Sequence, residues 1–115
     1  MDAIVSLEVE RLKIILDYIG KKFKGDMSGI FGDEIISFLE KEIQTVISVS
    51  EDISLQKELK MVRISKAFGR FSGIEKTIEF MSPIHFGGKI PYSISLLSTE
   101  LKGIQNSITK ILMNL

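Results

Sequence analysis

The sequence predicts an all-α fold: a small up-and-down bundle of about four main helices, built as a single helical domain from residues 1–115. Three observations carry this. Apolar residues recur at steps of three and four at both ends of the chain, which aligns them along one side of a helix. Glycine and proline gather at Gly25 to Gly32, at Gly69 to Gly73 and at Pro83 to Pro91, leaving periodic segments between them. And 115 residues with 44% apolar content can close one core without a disulfide or a metal.

The first helix is read over residues 3–24. Val5, Val9, Leu12, Leu16, Ile19 and Phe23 keep the helical spacing without a miss. Ile4, Leu7, Ile14, Ile15 and Tyr18 widen this stripe beyond the seam of a two-stranded coiled coil, so the helix is expected to touch two neighbours. Glu10, Asp17, Lys21 and Lys24 mark its wet face.

The stretch GDMSGIFGD reads as a loop, because three glycines in eight residues disfavour a helix, and Asp33 is placed to cap the next helix. That second helix is predicted over residues 33–49, burying Ile36, Leu39, Ile43 and Val46. Ser48, Ser50, Asp52 and Ser54 then compete for backbone hydrogen bonds and predict a break at residues 50–53. A third helix starts under Ser54, buries Leu55, Leu59, Val62, Phe68 and Phe71, and gives way at Gly69 to Gly73, followed by an irregular segment over residues 73–92. Within residues 60–94, however, Val62 and Ile64, Ile78 and Phe80, and Ile90, Tyr92 and Ile94 also alternate as strands do. An α+β fold with a small sheet from this segment is therefore the alternative, although Pro83 and Pro91 argue against a central strand.

The last segment has the most regular pattern. Ile94, Leu97, Leu101, Ile104, Ile108, Ile111 and Leu115 form three heptads of seam, flanked by Ser95, Ser98, Thr99, Gln105, Asn106 and Thr109 where a solvated helix usually carries Glu and Lys. Such a helix suits the middle of a bundle or a subunit interface. Together with a mean hydropathy of +0.22, this makes Ile94, Leu97, Leu101, Ile104, Ile108 and Ile111 a candidate interface between copies of the chain in a homo-oligomer.

The net charge of zero hides a division: residues 25–56 are acidic and residues 57–115 basic. Lys57, Lys60, Arg63, Lys66 and Arg70 fall close together, and the last four span about 120° of a helix. They are candidate phosphate-binding residues, with Phe68 and Phe71 near enough in sequence to stack on bases. The competing reading is a solvated face neutralised by the acidic second helix, which the near-neutral pI of 6.6 favours.

The chain has no cysteine and one histidine, which excludes thiol chemistry and multi-histidine metal cages. His85 sits in PIHFGGK, which lacks the first glycine and the hydroxyl residue of a Walker A loop; Gly87, Gly88 and Lys89 could form only a weak anion nest. Of the neighbouring carboxylates, Glu75 and Glu79 alone have i,i+4 spacing, and no Glu-x-x-His accompanies them. There is no nucleophile elbow of the Gly-x-Ser-x-Gly type. No catalytic, metal or cofactor-binding residue is therefore expected, and no cofactor. Charges spread through the first 24 residues argue against a secretory leader, no apolar run reaches membrane-spanning length, and a cytoplasmic chain is expected. The function expected is a non-enzymatic interaction module that self-associates and holds a protein partner of unknown identity. The alternative is a small nucleic-acid-binding subunit working through residues 57–70.

Overall fold

The computed structural model describes residues 1–24, 32–85 and 92–115, without the side chains of residues 32, 81–85 and 92–93. Four α-helices account for them: α1 (Ala3–Phe23), α2 (Gly32–Glu51), α3 (Lys57–His85) and α4 (Tyr92–Asn114). Cross-helix contacts give their directions. Lys24 meets Glu40 at 3.0 Å while Lys13 meets Glu51 at 3.4 Å, so α1 and α2 run antiparallel. Lys60 Nζ donates to the Ser50 carbonyl at 3.2 Å and Arg70 Nη1 reaches Glu42 Oε2 at 3.1 Å, which turns α3 back along α2. Gln105 Nε2 bonds Glu75 Oε2 at 3.4 Å between α4 and α3, and Lys110 lies 3.8 Å from Glu8 between α4 and α1. The helices thus follow one another up and down around a closed square in which, among the described residues, α2 and α4 approach across the diagonal and the backbones of α1 and α3 do not. The molecule is a short rod of 47 × 24 × 20 Å.

Each boundary has a local cause. Asp2 caps α1, its Oδ1 accepting from the Ile4 amide at 2.7 Å and the Val5 amide at 3.4 Å. α2 begins at Gly32, so Asp33, expected as the cap, instead stands in the first helical turn with Glu34, where a carboxylate complements the helix dipole. Between α2 and α3, Asp52 Oδ1 accepts from the Ser54 hydroxyl at 2.6 Å and the Ser54 amide at 2.9 Å, closing a tight turn. The same two bonds, the hydroxyl one foremost, hold the Asp52 carboxyl below its usual value of 3.8.

Three expectations are corrected along α3. It starts at Lys57, not under Ser54, and runs for 29 residues through Gly69 and Gly73 to His85, where a break and an irregular segment were expected. Two interior glycines disfavour a helix by about 1 kcal/mol each, less than the burial of Phe71 and Ile78 on either side of the second glycine returns. Its core stripe is Ile64, Ala67, Phe71 and Ile78; Leu59 and Val62, expected inside, lie on the surface. No strand occurs among the described residues, so the α+β alternative fails for residues 60–85 and 92–94; the rest of that segment lies outside the described residues. The alternation has a helical meaning. Residues two apart are about 200° apart on a helix, so Ile64 and Ile78 point into the core while Val62 and Phe80 point away from it.

The core draws on all four helices. Leu12, Ile19 and Phe23 from α1, Ile36, Leu39, Ile43 and Ile47 from α2, Phe71 from α3 and Leu101, Ile104 and Ile108 from α4 are buried in one cluster. No described helix is long and apolar enough to cross a membrane.

Candidate functional site

The candidate oligomer seam lies inside the bundle. Ile94 keeps only 4% of its surface, and Leu97, Leu101, Ile104, Ile108 and Ile111 keep none. These side chains are covered by α1 and α3 of the same chain, so they have no area left to lose to a second copy. Of the weakly polar flanks, Ser107 is buried and Ser98 and Gln105 are half-buried against neighbours, whereas Ser95, Thr99, Asn106 and Thr109 are exposed, so burial accounts for only part of the missing charge on α4.

The basic cluster is divided by its partners. Lys60 turns inward to the Ser50 carbonyl, and Arg70 is tied to Glu42 of α2. Lys57, Arg63 and Lys66 remain exposed and form no ion pair among the described residues. Of the two aromatics placed nearby, Phe71 is fully buried in the core and Phe68 half-buried against it, so neither offers a face for base stacking. The acidic second helix neutralises only one of the five cations through a salt bridge.

No group of three or more His, Asp or Glu side chains able to hold a metal comes together among the described residues. The side chain of His85, and Gly87, Gly88 and Lys89 entirely, lie outside the described residues. Glu75 is engaged with Gln105 of α4. An open cleft of about 440 Å³ at one end of the bundle is lined by Met1, Asp2, Val5, Ser50, Lys60 and Leu115, among others, and mixes acid and base. Two carboxylates are buried among the described residues: Glu42, which meets Arg70, and Glu8, 2% exposed, which faces Arg11 at 3.3 Å and Lys110 at 3.8 Å and so joins α1 to α4 electrostatically.

What the bundle leaves open are two apolar helix faces. On α1, Ile4, Leu7, Ile14 and Tyr18 are exposed, Ile14 to 69%. α1 does touch two neighbours, α2 and α4, but these cover only the primary stripe and not the residues that widen it. With Arg11, the exposed residues step by three and four over about 80° of arc, a second heptad stripe on the side away from the core. Most charges along it are paired within the helix: Lys13 meets Glu10 at 3.2 Å, Lys21 meets Asp17 at 3.0 Å and Arg11 meets Glu8; Lys22, which follows Tyr18 at the same spacing, is exposed and forms no ion pair among the described residues. Lys13, bonded chiefly to Glu10 and also to Glu51, is held above the ordinary lysine value. On α3, Leu59, Met61, Val62 and Phe80 are exposed beside the unpaired cations.

Neither face was singled out from the sequence, although both carried a signal. On α1 it was the off-stripe residues, which have a three-and-four spacing of their own. On α3 it was the i,i+2 alternation, which in a helix means two apolar sides. No family model, curated protein or solved structure matches the chain.

Proposed function

We propose that the chain is a cytoplasmic, non-enzymatic interaction module that self-associates through the outer stripe of α1. The observation that carries this is the exposed row of Ile4, Leu7, Ile14 and Tyr18 at heptad spacing. A second copy is the occupant that suits it, because most charges along the stripe are already paired within the helix. Arg11, at the centre of the stripe, is tied to Glu8, and the unpaired Lys22 lies past the apolar row, so two such faces can meet with little opposition of like charges. A two-fold axis crossing near Arg11 lays Ile4 and Leu7 of one copy along Ile14 and Tyr18 of the other.

The area sets the strength. The exposed parts of these four side chains amount to about two whole apolar side chains per copy, or roughly 8 kcal/mol for a symmetric pair at about 2 kcal/mol each. Association costs several kcal/mol, so the dimer is weak, with a dissociation constant in the upper micromolar range or above. Light scattering coupled to gel filtration, from about 10 to 500 µM, tests this. The mass should rise from the 12.9 kDa monomer towards twice that value, and Ile14→Glu should hold it at the monomer. A wild-type monomer across the whole range would sink the proposal.

The nucleic-acid alternative is left with Lys57, Arg63 and Lys66 as unpaired cations. Three phosphate contacts correspond to a log–log salt slope of about −3, and a salt-independent or undetectable interaction with mixed DNA and RNA would remove it.

A further inference from the structure

We infer that the outward face of α3 docks an acidic amphipathic helix from another protein. Leu59, Val62, Lys66, Gly69 and Gly73 step by three and four along α3, Phe80 follows one heptad further on, and the six fall within about 80° of arc, opposite the buried stripe of Ile64, Ala67, Phe71 and Ile78. Val62 is 50% exposed and Phe80 73%. Between them, a β carbon added to Gly69 or Gly73 would meet nothing within 4 Å. Glycine disfavours a helix interior, and no contact within this chain makes use of the missing side chains. A helix laid along this face makes use of both, because its own side chains can settle onto the bare backbone between the apolar ends.

The cations select the occupant. Arg63, Lys66 and Lys76 lie on or beside this face, are exposed and form no ion pair among the described residues, and Glu58 is the exposed acid that borders it, so the face is net positive. A second copy of α3 would bring the same cations against themselves. The outer face of α2 in another copy carries acids only in its first turn, Asp33 and Glu34, and offers Ser37, Lys41, Gln44, Thr45 and Ser48 along the rest, so no acidic row runs its length to answer them. A nucleic acid would answer the cations but set Leu59, Val62 and Phe80 against phosphates. A helix of about 20 residues spans the distance from Leu59 to Phe80 at 1.5 Å per residue. Its apolar stripe covers Val62, the two glycines and Phe80, and its flanking Asp and Glu side chains reach Arg63, Lys66 and Lys76.

The test is a titration by fluorescence anisotropy with three labelled probes: an amphipathic helical peptide of about 20 residues with leucine on one face and glutamate on its flanks, the same peptide with lysine for glutamate, and a mixed-sequence DNA duplex. The glutamate peptide should bind at least ten-fold tighter than the lysine peptide and the duplex. Val62→Asp, confirmed folded by circular dichroism, should weaken it at least ten-fold. Gly69→Ala with Gly73→Ala should weaken it several-fold while raising the melting temperature, a pairing that general destabilisation cannot produce. Repeating the titration on Ile14→Glu, which leaves the α3 face intact, separates this result from self-association through α1. Equal binding of the two peptides, tighter binding of the duplex, or an unchanged affinity in Val62→Asp would overturn the inference.

Discussion

Replacing Leu101 with alanine distinguishes a seam packed inside one chain from a seam packed between chains. Leu101 has no exposed surface and sits in the common core with residues of all four helices. A fully buried Leu→Ala change costs about 2 to 5 kcal/mol, the lost transfer energy plus the cavity that a closed bundle cannot fully collapse; about 3 to 4 is expected at this central position. A chain of this length has on the order of 6 to 17 kcal/mol of stability, so the variant should remain folded. With about 4 °C lost per kcal/mol for a chain of about this size, the melting temperature should fall by roughly 12 to 16 °C. The measurement is thermal unfolding followed by circular dichroism, in an Ile14→Glu background so that pairing through α1 does not contribute. Because the contacts are intramolecular, the drop should be the same at about 5 and 500 µM protein. A loss that shrinks as concentration rises, or a melting temperature within about 3 °C of the parent, would refute the placement of this seam inside the monomer.

The same physics sets other outcomes. Asp2→Ala removes the cap that accepts from the Ile4 and Val5 amides and should destabilise the chain by about 1 kcal/mol, read by urea denaturation. Gly73→Ala should stabilise it by about 0.5 to 1 kcal/mol, since a β carbon there meets nothing and the unfolded chain loses freedom; a destabilised variant would show that this backbone needs glycine. Because the Asp52 carboxyl is held below 3.8 by Ser54, its stabilising effect is present above that value and lost as pH falls through the lower folded one. The difference in melting temperature between wild type and Asp52→Asn should therefore vanish in strong acid. Glu100 behaves oppositely, because burial pushes its carboxyl above 4.5. Glu100→Gln should be the more stable chain at pH 7, with the advantage disappearing as pH falls towards 4.5.

The helices themselves could be read from the chain wherever one stripe dominated. The seam from Ile94 to Ile111 is buried as its spacing implies, and so is the row from Val5 to Phe23 apart from the half-buried Leu16. What spacing could not reveal was which side of α3 faces inward. Leu59 and Val62 compete with Ile64 and Ala67 for the core, and the choice falls to the inner pair because their direction is shared by Phe71 and Ile78. Gly69 and Gly73 looked like a stop because propensity acts locally, while the residues that keep α3 going are held by helices distant in sequence. The candidate sites fared unevenly for a related reason. A regular apolar row signals that something covers it, but whether the cover is the same chain or another depends on how many helices surround it, and α4 is flanked on two sides. The pairing of Lys60 with the Ser50 carbonyl was likewise out of reach, since it depends on α3 turning back against the end of α2.

α1 and α3 occupy diagonal corners of the square, their backbones apart among the described residues, so their outward faces look in opposite directions across a body 20 to 24 Å thick. A pair joined through α1 would carry its two α3 faces on opposite exteriors, roughly twice that thickness apart and aimed away from each other. A short tether joining two acidic helices could not reach both, so avidity within one pair is ruled out for such a ligand. It would instead bridge from one pair to the next, and the stoichiometry would be that of a growing chain rather than a closed complex. Valence in this molecule is set by which corners of the bundle carry the spare apolar rows.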